Sequence, residues 1–274
     1  MISPDGRFAG TIKCGDKELV FGKKTFVMGI LNVTPDSFSD GGKWDTPECA
    51  RLHAIELSEK GAGIIDMGAE STRPGAEPVP EETELARLIP ALEAVLGSVD
   101  RPVSVDTMKA SVARKAVETG ASIIHDVSGL SDPDMAAVAA EMDVPLVLMS
   151  SYGTPETFKT QTIPGDAVSY ALGRLRELVA KALDAGVKKH NIIIDPGVGF
   201  GTSPEQAVEM ISRSGEFSMG KYPVLIGPSR KRFLAKRYPG LDVDEATAEV
   251  CLLAVAGGAD IVRVHDVACV ARRF

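Results

Sequence analysis

One repeated unit constrains the fold of this chain more than any other feature of its sequence. In each unit a short apolar run ends in a polar or glycine-containing turn, and a helical pattern follows. Eight such runs occur from residue 25 onward: TFVMGIL, GIIDMG, PVSVDT, SIIHDV, VPLVLMS, NIIIDPG, YPVLIG and DIVRVHD. Because the runs do not alternate apolar and polar residues, they predict strands buried on both faces, as in a parallel sheet covered by helices.

Eight strand–helix units in series favour an α/β fold of the (β/α)8 TIM barrel type, with an open doubly wound sheet as the alternative. Before the first run, AGTIKCGDKELVFG predicts an N-terminal β-hairpin around the turn at Gly15 and Asp16. We expect this hairpin, within residues 1–24, to plug the bottom of the barrel. The 274 residues contain no linker or low-complexity segment, so residues 1–274 are expected to form a single domain.

The helix boundaries between the runs are marked by capping residues. Helix starts are predicted at Thr46–Pro47, at Ser131, and at Ser203–Pro204, where Gln206 completes a capping box; a later helix from about Asp244 ends at Gly257–Gly258. The segments RLRELVAKALDAG and LARLIPALEAVL have the amphipathic pattern of helices that pack on a barrel.

Composition excludes several classes of function. The formal net charge of -8 argues against a general binder of nucleic acid or of an anionic membrane. No apolar run approaches the length of a membrane span, and MISPDGRFAG has no signal-peptide core, so a cytoplasmic location is expected. The four cysteines lie far apart and form no CxxC pair or zinc spacing, which indicates free thiols: Cys14, Cys49, Cys251 and Cys269.

Polar residues follow the apolar runs, and in a barrel of this type the strand ends form one rim. Asp106 and Asp195 can each accept hydrogen bonds from a flat, nitrogen-rich ring, and Phe200 can lie against it. A single aspartate at a strand end is often only a helix cap. Polar groups at all eight strand ends are harder to explain that way. Four residues suggest an anion site with a divalent cation, which oxygen ligands and guanidinium groups would hold: Asn32, Arg73, Arg263 and His265.

Six motifs in this order and spacing give the chain a family resemblance: MGILNVTPDSFSDGG, IIDMGAESTRPGA, PVSVDT, IIIDPGVGFG, GPSRK and RVHDV. From about residue 25 to 268 the chain resembles the dihydropteroate synthases, which are pterin-binding TIM-barrel enzymes. The resemblance implies a transferase that joins p-aminobenzoate to 6-hydroxymethyl-7,8-dihydropterin pyrophosphate with release of pyrophosphate, in folate biosynthesis. It implies Mg²⁺ as cofactor, two small-molecule substrates, and a homodimer formed through the last helix.

The resemblance also implies a role for each matching residue. Asn32 would bind the metal and the diphosphate, and residues 34–42 would form a flexible loop over the site. Asp106, His125 and Asp195 would bind the pterin, and Lys231 would reach its ring. The remaining positions would bind the diphosphate or the arylamine: Thr72, Arg73, Phe200, Gly227, Arg263 and His265. Asp106, Asp195, Lys231, Arg263 and His265 would form the catalytic set.

The chain departs from the family pattern near the pterin pocket. His125 stands where the family usually has Asn, and Ser150–Ser151 stand where it usually has His-Met. Thr202 replaces a common Lys, and only nine residues follow His265, which shortens the helix of the expected dimer interface. Three alternatives stay open. One is the same chemistry with a ribosyl-phosphate arylamine, as in a methanopterin-type pathway, motivated by the basic run at residues 230–232. The others are a pterin-binding methyltransferase and a non-catalytic relative.

Overall fold

The computed structural model describes residues 7–34, 46–71, 76–153, 157 and 161–274. Two short antiparallel strands come first, β1 at Thr11–Cys14 and β2 at Lys17–Val20, joined at Gly15 and Asp16. Eight parallel strands follow: β3 Phe26–Asn32, β4 Ile64–Gly68, β5 Val103–Asp106, β6 Ile123–Asp126, β7 Leu146–Met149, β8 Ile192–Asp195, β9 Leu225–Ile226 and β10 Ile261–Val264. Seven of them lie within the predicted apolar runs, β3 extends one residue beyond its run to Asn32, and the N-terminal hairpin is confirmed.

Helices separate the parallel strands along the chain: α1 Pro47–Glu59, α2 Glu81–Leu96, α3 Ala110–Thr119, α4 Met135–Glu141, α5 Ala167–Asp184, α6 Pro204–Ser212, α7 Phe233–Arg237, α8 Val243–Ala256 and α9 Val267–Ala271. Short 3-10 helices cover Lys189–Asn191 and Ser214–Ser218. Among the described residues, none of these helices combines the length and the apolar character needed to cross a membrane.

The parallel strands form a barrel of the predicted kind. Their order in the sheet is β8-β7-β6-β5-β4-β3-β10-β9, so neighbours in the chain are neighbours in space. The two ends of this series meet through a parallel bridge between Ile194 and Val224, and the backbone N–H of Ile194 donates to the carbonyl of Pro223 at 2.9 Å. The (β/α)8 TIM barrel is therefore confirmed, and the open sheet is excluded.

The bottom of the barrel is an apolar cluster that includes the hairpin. Ile12, Leu19 and Phe21 are buried in one cluster with residues near the start of seven barrel strands. Those barrel residues are Phe26, Met28, Ile64, Ile123, Val147, Ile193, Leu225 and Ile261. A second, larger cluster lies between the outer face of the strands and the helices. The hairpin thus adds its apolar face to the interior at the end opposite the polar rim.

The helix starts agree with the predictions at two of three places. Thr46 caps α1 through its side chain, and the Ser203–Gln206 capping box of α6 is complete. The predicted start at Ser131 is wrong, because α4 begins at Met135. Asp132, and not Ser131, organises this region: its Oδ1 accepts from the backbone N–H of Asp134 at 3.0 Å, and its Oδ2 accepts from the backbone N–H of Ala110 at 2.8 Å.

Strand register brings the polar residues at the carboxyl ends into one layer. Asn32 is paired with Gly68, Gly68 with Asp106, and Asp106 with His125 on successive strands β3 to β6. Because neighbouring residues in register point to the same face of a sheet, the side chains of Asp106 and His125 lie side by side in the barrel. Asp66 lies two residues before Gly68 on β4, one layer deeper on the same face.

Candidate active site

A buried arginine links two aspartates at the centre of the rim. Arg263 of β10 donates from Nε to Oδ2 of Asp66 at 2.5 Å and from Nη2 to Oδ2 of Asp106 at 2.6 Å. Asp66 is fully buried and Asp106 is nearly so. Two carboxylates in such an interior require a cation in hydrogen-bond contact, and the planar guanidinium reaches both at once.

His125 is a second cation candidate in the same cluster. Its Nδ1 lies 3.3 Å from Oδ2 of Asp66, and its Nε2 lies 3.8 Å from Oδ2 of Asp195, which is beyond hydrogen-bond distance. The other oxygen of Asp195 accepts from the backbone N–H of Gly197 at 2.7 Å. Four buried polar atoms have no hydrogen-bond partner among the described residues: Asp66 Oδ1, Ser104 Oγ, Asp106 Oδ1 and His125 Nε2.

Burial and neighbouring charges shift the pKa of each member of this cluster. Burial raises the pKa of Asp106 to about 6, although Arg263 and His125 act in the opposite direction. Burial also acts to raise the pKa of Asp66, but the positive charges of Arg263 and His125 outweigh this effect and hold the pKa of Asp66 below its ordinary value. Burial alone lowers the pKa of His125, yet Asp66 and Asp195 outweigh it and raise the pKa to about 10. His125 is therefore a cation at neutral pH.

The loop after β8 is shaped around Lys231. Gly199 has a φ of +87°, and a Cβ there would lie 2.4 Å from Cδ of Lys231, so only glycine leaves room for this side chain. Lys231 donates from Nζ to the carbonyl of Val198, and Nζ lies 3.9 Å from the centroid of the Phe200 ring. Thr202 stabilises the same loop, because its Oγ1 accepts from the N–H of Gly199 at 3.0 Å. Burial lowers the pKa of Lys231 to about 7, against the opposing effect of Asp195.

His265 and Asn32 lie on other strands of the same rim. Nδ1 of His265, just after β10, lies 2.9 Å from Oγ of Ser229, and the same Oγ accepts from the backbone N–H of His265 at 3.1 Å. Asn32 is half-buried at the end of β3. Gly227 follows β9, and a Cβ there would lie 3.9 Å from Cβ of Arg263. The predicted positions at Asn32, Gly227, Arg263 and His265 thus all fall on the carboxyl ends of three adjacent strands.

Some predicted positions do not belong to the described cluster. Thr72, Arg73 and the predicted loop at residues 34–42, apart from Thr34, lie outside the described residues. Arg230 is held away from Lys231, since its guanidinium makes a bidentate ion pair with Asp244 at 2.8 Å through both contacts. Arg232 is exposed. The basic run at residues 230–232 therefore does not converge on one ligand.

The sequence did not predict a second ion-pair cluster beside the rim. Lys109 donates from Nζ to Oε2 of Glu70 and to Oε2 of Glu84, both at 2.6 Å, and Thr107 donates to Oε1 of Glu84 at 2.7 Å. Glu70 also accepts from the backbone N–H of Val79 at 2.8 Å. This cluster fixes the end of β5, which carries Asp106, against β4 and α2. The signal available in the sequence was Glu84, an acidic residue at an inward position of an amphipathic helix.

Asp66, Asp106 and His125 also have the composition of a metal site, since their ligand atoms lie within 4.8 Å of one another. The hydrogen bonds of Arg263 to both carboxylates argue against that use, because a divalent cation would compete with a guanidinium at the same oxygens. The raised pKa of His125 argues against it too, because a metal ligand must be a neutral imidazole. The cluster is better suited to a ring that carries several N–H groups.

The barrel and this pocket together define a class of protein. The chain matches the family described as pterin binding enzyme over residues 28–265, a range that contains every residue of the rim cluster. It therefore belongs to the pterin-binding barrel enzymes.

Within that class the chain belongs to the dihydropteroate synthase family, whose members are transferases. It is 48% identical over 257 residues to dihydropteroate synthase of Bacillus subtilis (strain 168), which covers 93% of this chain and 88% of that protein. The structure of Xanthomonas albilineans dihydropteroate synthase with 4-aminobenzoic acid has a TM-score of 0.90 and 38% identity, over 97% of this chain and 96% of that one. The same enzyme in complex with 7,8-dihydropteroate has a TM-score of 0.85 and 36% identity, over 96% and 95% of the two chains.

Proposed function

We propose that this chain condenses 6-hydroxymethyl-7,8-dihydropterin pyrophosphate with p-aminobenzoate, releasing pyrophosphate, as a step of folate biosynthesis. The observation that carries this proposal is the buried cluster of three aspartates with Arg263 and His125 at the carboxyl end of the barrel. Two similar structures contain 4-aminobenzoic acid and 7,8-dihydropteroate, one substrate and the product of this reaction.

The pterin ring is proposed to lie between Asp106 and Asp195. Asp106 Oδ1 has no hydrogen-bond partner among the described residues, and Asp195 Oδ2 lies 3.8 Å from His125 Nε2, beyond hydrogen-bond distance. Carboxylates accept from the amino and ring N–H groups of a pterin. When the diphosphate leaves, positive charge develops on the ring, and nearby carboxylates stabilise it. The amine of p-aminobenzoate is a weak nucleophile, so its reaction depends mainly on being held in line with the departing group.

Arg263 and His265 are proposed to meet the diphosphate. Two of the three guanidinium nitrogens of Arg263 contact Asp66 and Asp106, so the third, Nη1, is the one that can contact a phosphate oxygen. His265 is oriented by Ser229 and is proposed to donate to the same group. Lys231, Phe200 and Gly227 would border the ring and the arylamine, and Thr72 and Arg73 are proposed to complete the diphosphate and arylamine contacts.

Asn32 is the residue proposed to hold Mg²⁺. Mg²⁺ usually keeps several waters and takes one or two protein oxygens together with the oxygens of a phosphate substrate. A single carboxamide at the rim fits that donor set, with the diphosphate supplying the other ligands. When bound, the metal would neutralise charge on the departing pyrophosphate. The homodimer, the cytoplasmic location and the single-domain organisation stay predictions from the sequence.

The ribosyl-phosphate alternative is disfavoured because Arg230 pairs with Asp244 and Arg232 is exposed, so the basic run that motivated it does not form a phosphate site. The pterin-binding methyltransferase is disfavoured because it has no use for a diphosphate set, and Arg263 and His265 lie together at the rim. A non-catalytic relative is disfavoured for the same reason.

Turnover tests the proposal directly. The protein is incubated with 6-hydroxymethyl-7,8-dihydropterin pyrophosphate and Mg²⁺ in three parallel reactions, which contain p-aminobenzoate, the ribosyl-phosphate arylamine, or no arylamine. Pyrophosphate release and product mass are measured in each. We expect product with p-aminobenzoate and none in the reaction without an arylamine. Asp195→Asn, which keeps the size of the side chain and removes its charge, is expected to lose most of the turnover. Product only with the phosphorylated arylamine, or tight pterin binding with no product at all, would overturn the proposal.

A further inference from the structure

Three neighbouring groups in the ring pocket form an ordered pattern of acceptors and one donor. Among the residues that the structure describes, Asp106 Oδ1 and His125 Nε2 are buried without a hydrogen-bond partner, and Asp195 Oδ2 lies 3.8 Å from that Nε2. The ligand atoms of Asp106 and His125 lie within 4.8 Å of each other, because the two residues are paired on adjacent strands. We name these three atoms the ring-edge array.

The middle member of the array is a donor for geometric reasons. Nδ1 of His125 faces the Asp66 oxygen that also accepts from Arg263, so this nitrogen carries a hydrogen. Nε2 faces a carboxylate of Asp195, and a lone pair on that nitrogen would point at negative charge. Both ring nitrogens are therefore protonated, and the raised pKa of His125 agrees with this assignment. The array then presents acceptor, donor and acceptor in order.

The edge of a 7,8-dihydropterin that runs from the 2-amino group through N1 to N8–H has the complementary order: donor, acceptor and donor. A fully oxidised pterin has no hydrogen on N8, so the same edge would place a lone pair against the carboxylate of Asp106. A site that holds a buried acceptor discriminates strongly against a ligand that lacks the matching hydrogen, because the acceptor is left unpaired.

We propose that His125 is a specificity-determining residue, which donates to N1 of the pterin and, as a fixed cation beside Asp106, keeps that carboxylate an acceptor, so that the pocket selects the 7,8-dihydro ring over the oxidised ring. This inference rests on the proposed function, which places a pterin between Asp106 and Asp195. Among the described residues, the charged groups that face His125 are Asp66, Asp106 and Asp195, and Arg263 in turn contacts Asp66 and Asp106.

The proposed role of His125 depends on its positive charge and not only on the space that its side chain fills. Without its positive charge, Asp66 and Asp106 would keep Arg263 as the cation that contacts them by hydrogen bonds. The positive charge of His125 lowers the pKa of Asp106, which burial raises. A neutral residue at this position would let Asp106 take up a proton near neutral pH and become a donor, which is the arrangement that an oxidised pterin requires at N8.

Calorimetry at pH 7.5 under anaerobic conditions tests the inference, with 6-hydroxymethyl-7,8-dihydropterin and 6-hydroxymethylpterin as probes and without arylamine. The unmodified protein is expected to bind the dihydro form at least about tenfold more tightly. Repeating the titrations in buffers of different ionisation enthalpy reveals proton uptake. We expect binding of the oxidised form to be accompanied by uptake of a proton and binding of the dihydro form not to be. In His125→Asn the preference should narrow to within about threefold, because the oxidised form gains affinity relative to the dihydro form.

His125→Gln serves as a second neutral variant, and His53→Asn, on the surface of α1 and 32% exposed, is the matched control that should keep the wild-type preference. Equal affinity of the unmodified protein for both pterins, or an unchanged preference in the folded His125 variants, would overturn the inference. The comparison of the two pterins with the unmodified protein needs no variant, so the test remains valid even if a variant folds poorly. Failure to bind either pterin would contradict the proposed function instead.

Discussion

The two ends of the barrel interior are built from opposite kinds of residue. At the bottom, the hairpin and the strand starts form an apolar cluster with Ile12, Leu19 and Phe21 almost completely buried. At the carboxyl end, the same strands bury aspartates, an arginine and a histidine, and leave polar atoms of Asp66, Asp106 and His125 without partners among the described residues. One set of short strands thus carries a stabilising end and a binding end.

This difference shows where the fold tolerates unfavourable interactions. Burying an unpaired acceptor costs stability, whereas burying apolar surface adds it. The bottom cluster therefore offsets the cost of a polar pocket that is complete only when a ligand supplies the missing hydrogen bonds. The comparison predicts that changes at the bottom alter stability without altering pterin affinity, and that changes at the rim alter both.

Arg263→Ala should produce the largest effect. Asp66 and Asp106 would lose the guanidinium that contacts both, so each would either carry an unpaired buried charge or take up a proton, and removing one partner of a buried ion pair typically costs about 3–5 kcal/mol. Urea unfolding measures this loss. Calorimetry should also show weaker binding of bare dihydropterin, since Asp106 is both a partner of Arg263 and a proposed ring ligand.

Arg263→Lys is the matched control, because it keeps the charge and loses the bidentate geometry. It should recover part of the stability and little of the turnover. A variant Arg263→Ala with wild-type stability and wild-type pterin affinity would show that the cation is not required by the carboxylates, and the contrast between the two ends would lose its basis.

Leu19→Ala tests the opposite end. Leu19 is 1% exposed and packs in the bottom cluster, so the truncation removes apolar contacts and leaves a cavity, at a cost of about 2–5 kcal/mol. The dissociation constant of dihydropterin, measured well below the unfolding transition, should stay within about twofold of the wild-type value. Val20→Ala, at a neighbouring position that is 43% exposed, should change stability little. A large loss of pterin affinity in Leu19→Ala would break the proposed separation of the two ends.

The sequence predicted the strands of this barrel well because each is a non-alternating apolar run, and that pattern depends only on local burial. The carboxyl-end positions of Asp106, Asp195 and His265 followed from the same runs. The start of α4 was predicted four residues too early, in a region where the carboxylate of Asp132 accepts both from the N–H of Asp134 and from the N–H of Ala110 at the start of α3, 22 residues away in the chain. A local capping pattern carries no information about such a contact.

The pairing within the site was beyond prediction for a different reason. Asp66 and Arg263 are 197 residues apart in the chain, and their contact follows from the register of β3, β4 and β10. A residue pattern indicates that a strand end is polar, but not which polar groups meet across the barrel. For that reason the residue patterns predict no role for Asp66 and predict contact with the diphosphate alone for Arg263.

The smallest expected effect is a dependence of pterin affinity on pH, which sharpens the comparison between the two ends. The pKa of Asp106 is raised from 3.8 to about 6, so below that pH the carboxyl is protonated and cannot accept from N8–H. Affinity for dihydropterin should therefore weaken about tenfold between pH 8 and pH 5. Calorimetry across that range measures it, and Asp106→Asn should bind more weakly and show little pH dependence.

Stability should respond in the opposite direction at the same residue. A carboxyl whose folded pKa is raised contributes stability that is complete below 3.8 and is lost as pH rises through about 6. Asp106 should thus make the free protein less stable in the pH range where it binds the ring best, and Asp106→Asn should remove that decline. Leu19→Ala should shift the free energy of unfolding by the same amount at pH 5 and pH 8, because no ionisable group takes part in its contacts. If pterin affinity and the free energy of unfolding both rose as the pH increased through 6, the loss of stability at the binding end would have to come from a residue other than Asp106.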